Sequence, residues 1–192
     1  GFKIAMRDLE IRGAGSLLGT KQSGHITAVG FELYCQLLQQ SIESLNGKNP
    51  MQRADAQLRI DFVVFAESSW SNEKGKLPAF FPRSYGPDSE LRVAAYRQMA
   101  SARTEKELNA ISRDWRDRFG RFPNPIVHLI ETNRLRIIAS AKGVQIVEMH
   151  NDRLKLQRNG DYILPPGGKF PRLSSKKPAD KLLEAVQLLK SL

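Results

Sequence analysis

Val144-Gln145-Ile146-Val147-Glu148-Met149-His150-Asn151-Asp152-Arg153-Leu154-Lys155-Leu156-Gln157 decides the fold class. Two runs flank a polar break, and the second alternates apolar and polar residues. The segment therefore reads as a hairpin of two strands, Val144–Met149 and Arg153–Gln157, joined by His150-Asn151-Asp152. Immediately upstream the pattern is helical. Asn124-Pro125 opens a helix, since proline suits the first turn, and the helix runs to about Lys142 and stops at Gly143. Before it, Thr104 and Glu107 form a capping box for a helix with Leu108, Ile111, Trp115 and Phe119 on its inner side, ended by Gly120. Asp88 caps an earlier helix that turns Leu91, Ala95 and Met99 inward. Asp161–Leu164 reads as a further strand and Phe170–Leu173 as a weaker one. Ala179–Leu192 closes as a helix with Leu182, Leu183, Val186 and Leu189 on one side. Leu58–Phe65 alternates and then runs apolar, as a strand does. Glu67–Lys76 is a polar loop, and Leu77–Phe81 is a short strand or crossing segment, ended by Pro82 and a turn at Gly86-Pro87. The whole predicts an α+β fold, a compact domain with a small sheet packed by several helices.

Residues 1–50 are organised differently. Phe2, Ala5, Met6 and Leu9 recur at helical spacing with no N-cap, which is expected of a chain cut from something longer. A Gly-rich loop follows, with Gly13, Gly15, Gly19 and Gly24 supplying positions free to take positive φ. Phe31–Leu45 is an amphipathic helix striped by Leu33, Leu37, Leu38, Ile42 and Leu45. Asn46-Gly47 stops it, and Lys48-Asn49-Pro50 marks a boundary between residues 1–50 and 51–192.

The chain has 192 residues, 41% hydrophobic and 26% charged, which excludes disordered, collagen-like and disulfide-scaffold classes. No apolar run approaches the roughly 18–20 residues that span a bilayer. The single Cys35 cannot close an internal disulfide, which fits a reducing cytoplasm. Lys and Arg number 30 against 20 Asp and Glu, a net charge of +10. Residues 1–50 hold five basic and four acidic residues, whereas 51–192 hold 25 and 16, so the excess sits in the second part. That balance is compatible with nucleic acid or another anionic partner.

Catalytic and cofactor signatures are missing. There is no Walker loop, and Gly13-x-Gly15-x-x-x-Gly19 is one residue too long for a dinucleotide fingerprint. His25, His128 and His150 are scattered without a cysteine set, so no metal ligands are expected. Cys35 reads as a small half-buried residue. Asp114 and Asp117 lie three apart on one helix among Arg113, Arg116 and Arg118, which a solvated, ion-paired face would also produce. Arg12 can pair with Asp8 or Glu10 at a helix end. No catalysis is expected from this chain alone.

What remains is the run from Gly1-Phe2 through Ile4-Ala5, Asp8-Leu9, Arg12-Gly13-Ala14-Gly15 and Gly19 to Gln22-Ser23-Gly24. It resembles the translocation motif of bacterial double-stranded DNA translocases, carried by RecG branch-migration helicases and by transcription-repair coupling factors (Mfd). The continuation Val29-Gly30-Phe31-Glu32-Leu33-Tyr34 resembles the coupling factors. So do Leu91-Arg92 with Tyr96-Arg97 and Ala100-Ser101-Ala102, then Thr104-Glu105, Glu107-Leu108 and Asp117-Arg118-Phe119-Gly120 with Pro123, which are similar to their C-terminal regulatory domain. The chain departs from the family at Glu67–Lys76, an apparent insertion, loosely at Phe81–Gly86, and at Trp115 and Arg116, where the family shows acid and aliphatic positions.

The resemblance implies a division of labour. ATP and Mg would act in two helicase lobes outside this chain. Arg12 and Gln22, flanked by Gly13 and Gly15, match the positions that couple that cycle to movement on double-stranded DNA. An arginine fork suits a phosphate or carboxylate, and glutamine contacts a backbone without reading sequence. Residues 51–192 match the domain that packs on an N-terminal UvrB-like module of the same protein and restrains recruitment of UvrA until the motor engages RNA polymerase. The contact helix would be Thr104–Phe119, with Asp114, Asp117 and Arg118 as its charged contacts. Two alternatives stand beside it: an independent basic nucleic-acid-binding module, and a RecG-like fragment. Against the first, the basic residues are spread among acids instead of gathering with aromatics.

Overall fold

The computed structural model describes residues 55–86, 88–164 and 168–191. The helix, Gly-rich loop and second helix read in residues 1–50 lie outside the described residues, together with Arg12, Gly13, Gly15, Gln22 and Cys35.

The described chain forms four helices, a four-stranded mixed sheet and a parallel pair of two-residue strands, an α+β arrangement. The helices are α1 (Ser89–Ser101), α2 (Glu105–Phe119), α3 (Asn124–Ala141) and α4 (Pro178–Ser191). Asp88 caps α1 by accepting the Glu90 N–H at 2.9 Å. Thr104 Oγ1 accepts the Glu107 N–H, and the Glu107 carboxylate reaches back to the Arg103 N–H at 2.7 Å, one residue before the cap. Gly120 (φ +82) and Gly143 (φ +72) end α2 and α3 in the left-handed region that glycine enters without strain.

Helix α3 is the axis. It is buried nearly all round, as a helix enclosed by other elements must be, through Ile126, Leu129, Leu135, Ile138 and Ala139 among others. Its buried Thr132 and Asn133 both donate to the Leu129 carbonyl, which satisfies them inside the helix itself.

In the sheet, β1 (Gln57–Ile60) lies parallel to β4 (Ile146–His150), β4 antiparallel to β5 (Arg153–Arg158), and β5 antiparallel to the edge strand β6 (Asp161–Tyr162). Leu58 and Ile60 register with Val147 and Met149, which register with Leu156 and Leu154. All six are buried in the same core, while Arg59 and Glu148 alternate to the other face. The β4–β5 turn places Asn151 at φ +58. Asn159-Gly160, at φ +53 and +86, makes a two-residue turn into β6.

Three expectations change. Leu58–Phe65 is two strands, not one: β1 ends at Ile60, and Val63–Val64 (β2) pairs in parallel with Leu77–Pro78 (β3). The break has a cause, because the Asp61 carboxylate accepts the Asn151 N–H at 2.8 Å and so holds the β4–β5 turn. Phe170–Leu173 contributes only a bridge between Arg172 and Arg153. On α4 the inner side is Leu182, Ala185, Val186 and Leu189, while Leu183 is 45% exposed.

Glu184 fastens the segment before α4. Its carboxylate accepts the Ser174 and Ser175 N–H groups at 2.8 and 3.0 Å, and these bonds hold its pKa down at about 2. A depressed carboxylate pKa adds stability above its ordinary value near 4.5, and that stability is lost as pH falls toward about 2. Glu184→Gln should therefore lower the melting temperature at neutral pH and flatten its fall between pH 5 and 2. An identical pH dependence in both proteins would contradict this.

Candidate interaction surface

Loop 79–86 seats α2 through aromatic rings. Phe81 meets Trp115 edge-on at 5.4 Å and Tyr85 at 5.4 Å, and Tyr85 continues to Phe119 at 6.0 Å. The Trp115 indole N–H donates to Gln98 of α1 at 2.7 Å, and the Tyr85 hydroxyl to the Gly120 carbonyl at 3.0 Å. Gly86 is required here, since a Cβ would stand 2.5 Å from the buried Phe81 ring.

With Leu108 and Trp115 pointing inward, the rest of α2 divides into two flanks. One carries Glu107, Asp114, Asp117 and Arg118, all exposed. The structure therefore brings the three charged residues expected at a regulatory contact onto one open flank. Arg118 pairs with Asp114 at 3.5 Å one turn back and lies over the Phe119 ring. An exposed i,i+4 pair of this kind is worth only a few tenths of a kcal/mol, so a partner can replace it at small cost.

The other flank is basic. Lys106, Arg113 and Arg116 lean toward α3, and between the helices lies a groove of about 620 Å³ with Phe122, Val127 and Ile130 along it. Arg134 forms its far wall, held by Glu105 at 3.0 Å, Glu131 at 3.2 Å and Asn109 at 3.1 Å. Burial pushes the Glu105 carboxyl up, but hydrogen bonds from Lys190 and Arg134 outweigh it and leave its pKa lowered. The sequence placed these arginines only as neighbours of Asp114 and Asp117. Lys106, Arg113 and Arg116 recur at seven- and three-residue spacing along one side of the helix, with Asp117 one turn from Arg113 at its edge, and that spacing was the available signal.

Two other clusters were not foreseen. Arg136 is buried on α3, where it donates to the Met99 and Ala102 carbonyls at the end of α1 and pairs with Asp55 at 3.0 Å. Asp55 also pairs with Arg103. On β5 the Lys155 amine lies 5.8 and 5.7 Å from the Tyr162 and Phe170 ring centres, so cation and aromatics do meet there, with Glu148 pairing the same lysine at 3.3 Å. Among the described residues, no group of three or more His, Cys, Asp or Glu could hold a metal ion, and no helix is long and apolar enough to cross a membrane.

Comparison with known proteins meets this geometry. Residues 76–164, from β3 through the hairpin, match the TRCF domain. The chain is 36% identical over 149 residues to a transcription-repair-coupling factor of Escherichia coli, covering 77% of this chain and 12% of that protein. It is 33% identical over 156 residues to the factor of Bacillus subtilis, covering 81% of this chain and 12% of that one. It thus spans about an eighth of these relatives. A crystal structure of the C-terminal domain of transcription-repair coupling factor superposes with a TM-score of 0.52 over 74% of this chain and 98% of that one, at 16% identity, which shows a shared fold. A shared domain, relatives of one kind in two bacteria and a shared architecture agree, and the chain belongs to the transcription-repair-coupling factor family.

Proposed function

We propose that this chain is the coupling and regulatory end of an ATP-driven double-stranded DNA translocase that releases stalled RNA polymerase and recruits excision repair. Residues 1–50 would transmit the cycle of helicase lobes elsewhere in the protein, which hold ATP and Mg, to the duplex through Arg12 and Gln22. Gly13 and Gly15 would let the loop approach the DNA closely. Residues 51–192 would form the interaction domain. It would set the acidic flank of α2 (Asp114, Asp117, Arg118) against the UvrB-like module and so hold back UvrA. The carrying observation is the sequence similarity, which reaches 93% of this chain in the Haemophilus influenzae relative. The open acidic flank supports the regulatory half, because weak exposed pairs give specificity and release readily.

The coupling half is tested in the full-length protein. Arg12→Ala and Gln22→Ala should retain ATP binding but lose most duplex movement per ATP hydrolysed, read by triplex displacement alongside phosphate release. Wild-type displacement in both variants would remove these residues from the coupling role.

A further inference from the structure

We propose that the groove between α2 and α3 is a docking site for an acidic segment of a partner protein that carries an apolar anchor. This inference rests on the groove alone and does not depend on the coupling or regulatory roles above. Its near wall presents Lys106, Arg113 and Arg116, none of which forms an ion pair among the described residues. The three are set along one helix flank over about 15 Å, from the rise of 1.5 Å per residue. The Arg116 guanidinium is braced 5.2 Å over the Phe122 ring, which limits the freedom it loses on binding.

The remaining lining selects the partner's chemistry. Val127 is 42% exposed at the groove and lies with Ile130 and Phe122, so an aliphatic or aromatic side chain would gain by entering. Glu131 stands on the opposite wall with its partner Arg134, and that wall adds no unpaired positive charge. A phosphate backbone gains nothing from an apolar floor. A peptide with acids about two helical turns apart and an apolar residue between them matches the basic wall and that floor. The site also differs from the acidic flank of the same helix, which would attract partners of opposite charge.

The test is selection from a random-peptide library on the full 192-residue chain, with the Lys106→Glu/Arg113→Glu variant as counter-target. Enriched peptides should be acidic with an apolar residue. A labelled consensus peptide should lose at least tenfold in affinity against Lys106→Glu/Arg113→Glu and against Val127→Asp. Its binding should be unchanged by Asp114→Lys. Lys106→Gln/Arg113→Gln, which adds no repulsion, should still weaken it severalfold while leaving the unfolding curve in place. Peptides enriched equally on the counter-target would overturn the proposal. So would groove-dependent binding of a fluorescent duplex oligonucleotide without any such peptide, which would assign the groove to nucleic acid.

Discussion

Arg136→Met will destabilise the domain by about 3 kcal/mol, at the low end of what breaking a buried ion pair costs. The side chain is 5% exposed and makes several bonds at once: to the Met99 carbonyl at 3.1 Å, the Ala102 carbonyl at 2.9 Å and the Asp55 carboxylate at 3.0 Å. Methionine fills much of the volume but donates nothing, so the Ala102 carbonyl loses its guanidinium donor, the Met99 carbonyl keeps only the weak Ala102 N–H at 3.3 Å, and among the described residues Asp55 keeps Arg103. The loss reaches beyond α1. Next to Asp55, Ala56 donates its N–H to Ser140 of α3 at 2.8 Å, so the Arg136 cluster also fixes the lead into β1. Asp55→Asn should cost less, about 1 kcal/mol, because the two carbonyls still hold the guanidinium. Urea denaturation of the three proteins measures both effects. A loss under about 1 kcal/mol for Arg136→Met would show that the cluster contributes little.

Trp115→Ala will cost about 3–5 kcal/mol, the range for deleting a large aromatic side chain from a core. Trp115 is 2% exposed, and its indole joins α2 to loop 79–86 through Phe81 and to α1 through Gln98. The ring's removal leaves a cavity that Phe81 cannot fill without leaving Tyr85. Trp115→Phe keeps most of the packing and loses the N–H bond, so it should cost about 1–2 kcal/mol. Thermal or urea unfolding reads the series, and equal stability of Trp115→Ala and Trp115→Phe would contradict it.

Local signals in the sequence were sufficient for the elements that local chemistry governs. Thr104 and Glu107 announced α2, Leu108 and Trp115 its inner side, and the alternation of Arg153–Gln157 the hairpin. The turn at Asn159-Gly160, seen in the structure at φ +53 and +86, sets the start of β6 at Asp161. The parallel pairing of β1 with β4 was not legible, since the partners lie 89 residues apart and no periodicity encodes which distant strand is adjacent. Nor was the burial of Arg136, because charge predicts exposure unless the acceptors waiting for it are known. For the site, spacing put Asp114 and Asp117 on one face of α2, and the family resemblance added Arg118. That Lys106, Arg113 and Arg116 border a groove required α3 beside them.

The regulatory role turns on which flank of α2 meets the rest of the protein. The measurement is the affinity of the full-length protein for UvrA, with Asp114→Lys/Asp117→Lys compared against Lys106→Glu/Arg113→Glu. Restraint through the acidic flank predicts that the first pair raises affinity at least tenfold and the second leaves it unchanged. Equal affinity of Asp114→Lys/Asp117→Lys and wild type would contradict a brake held by that flank.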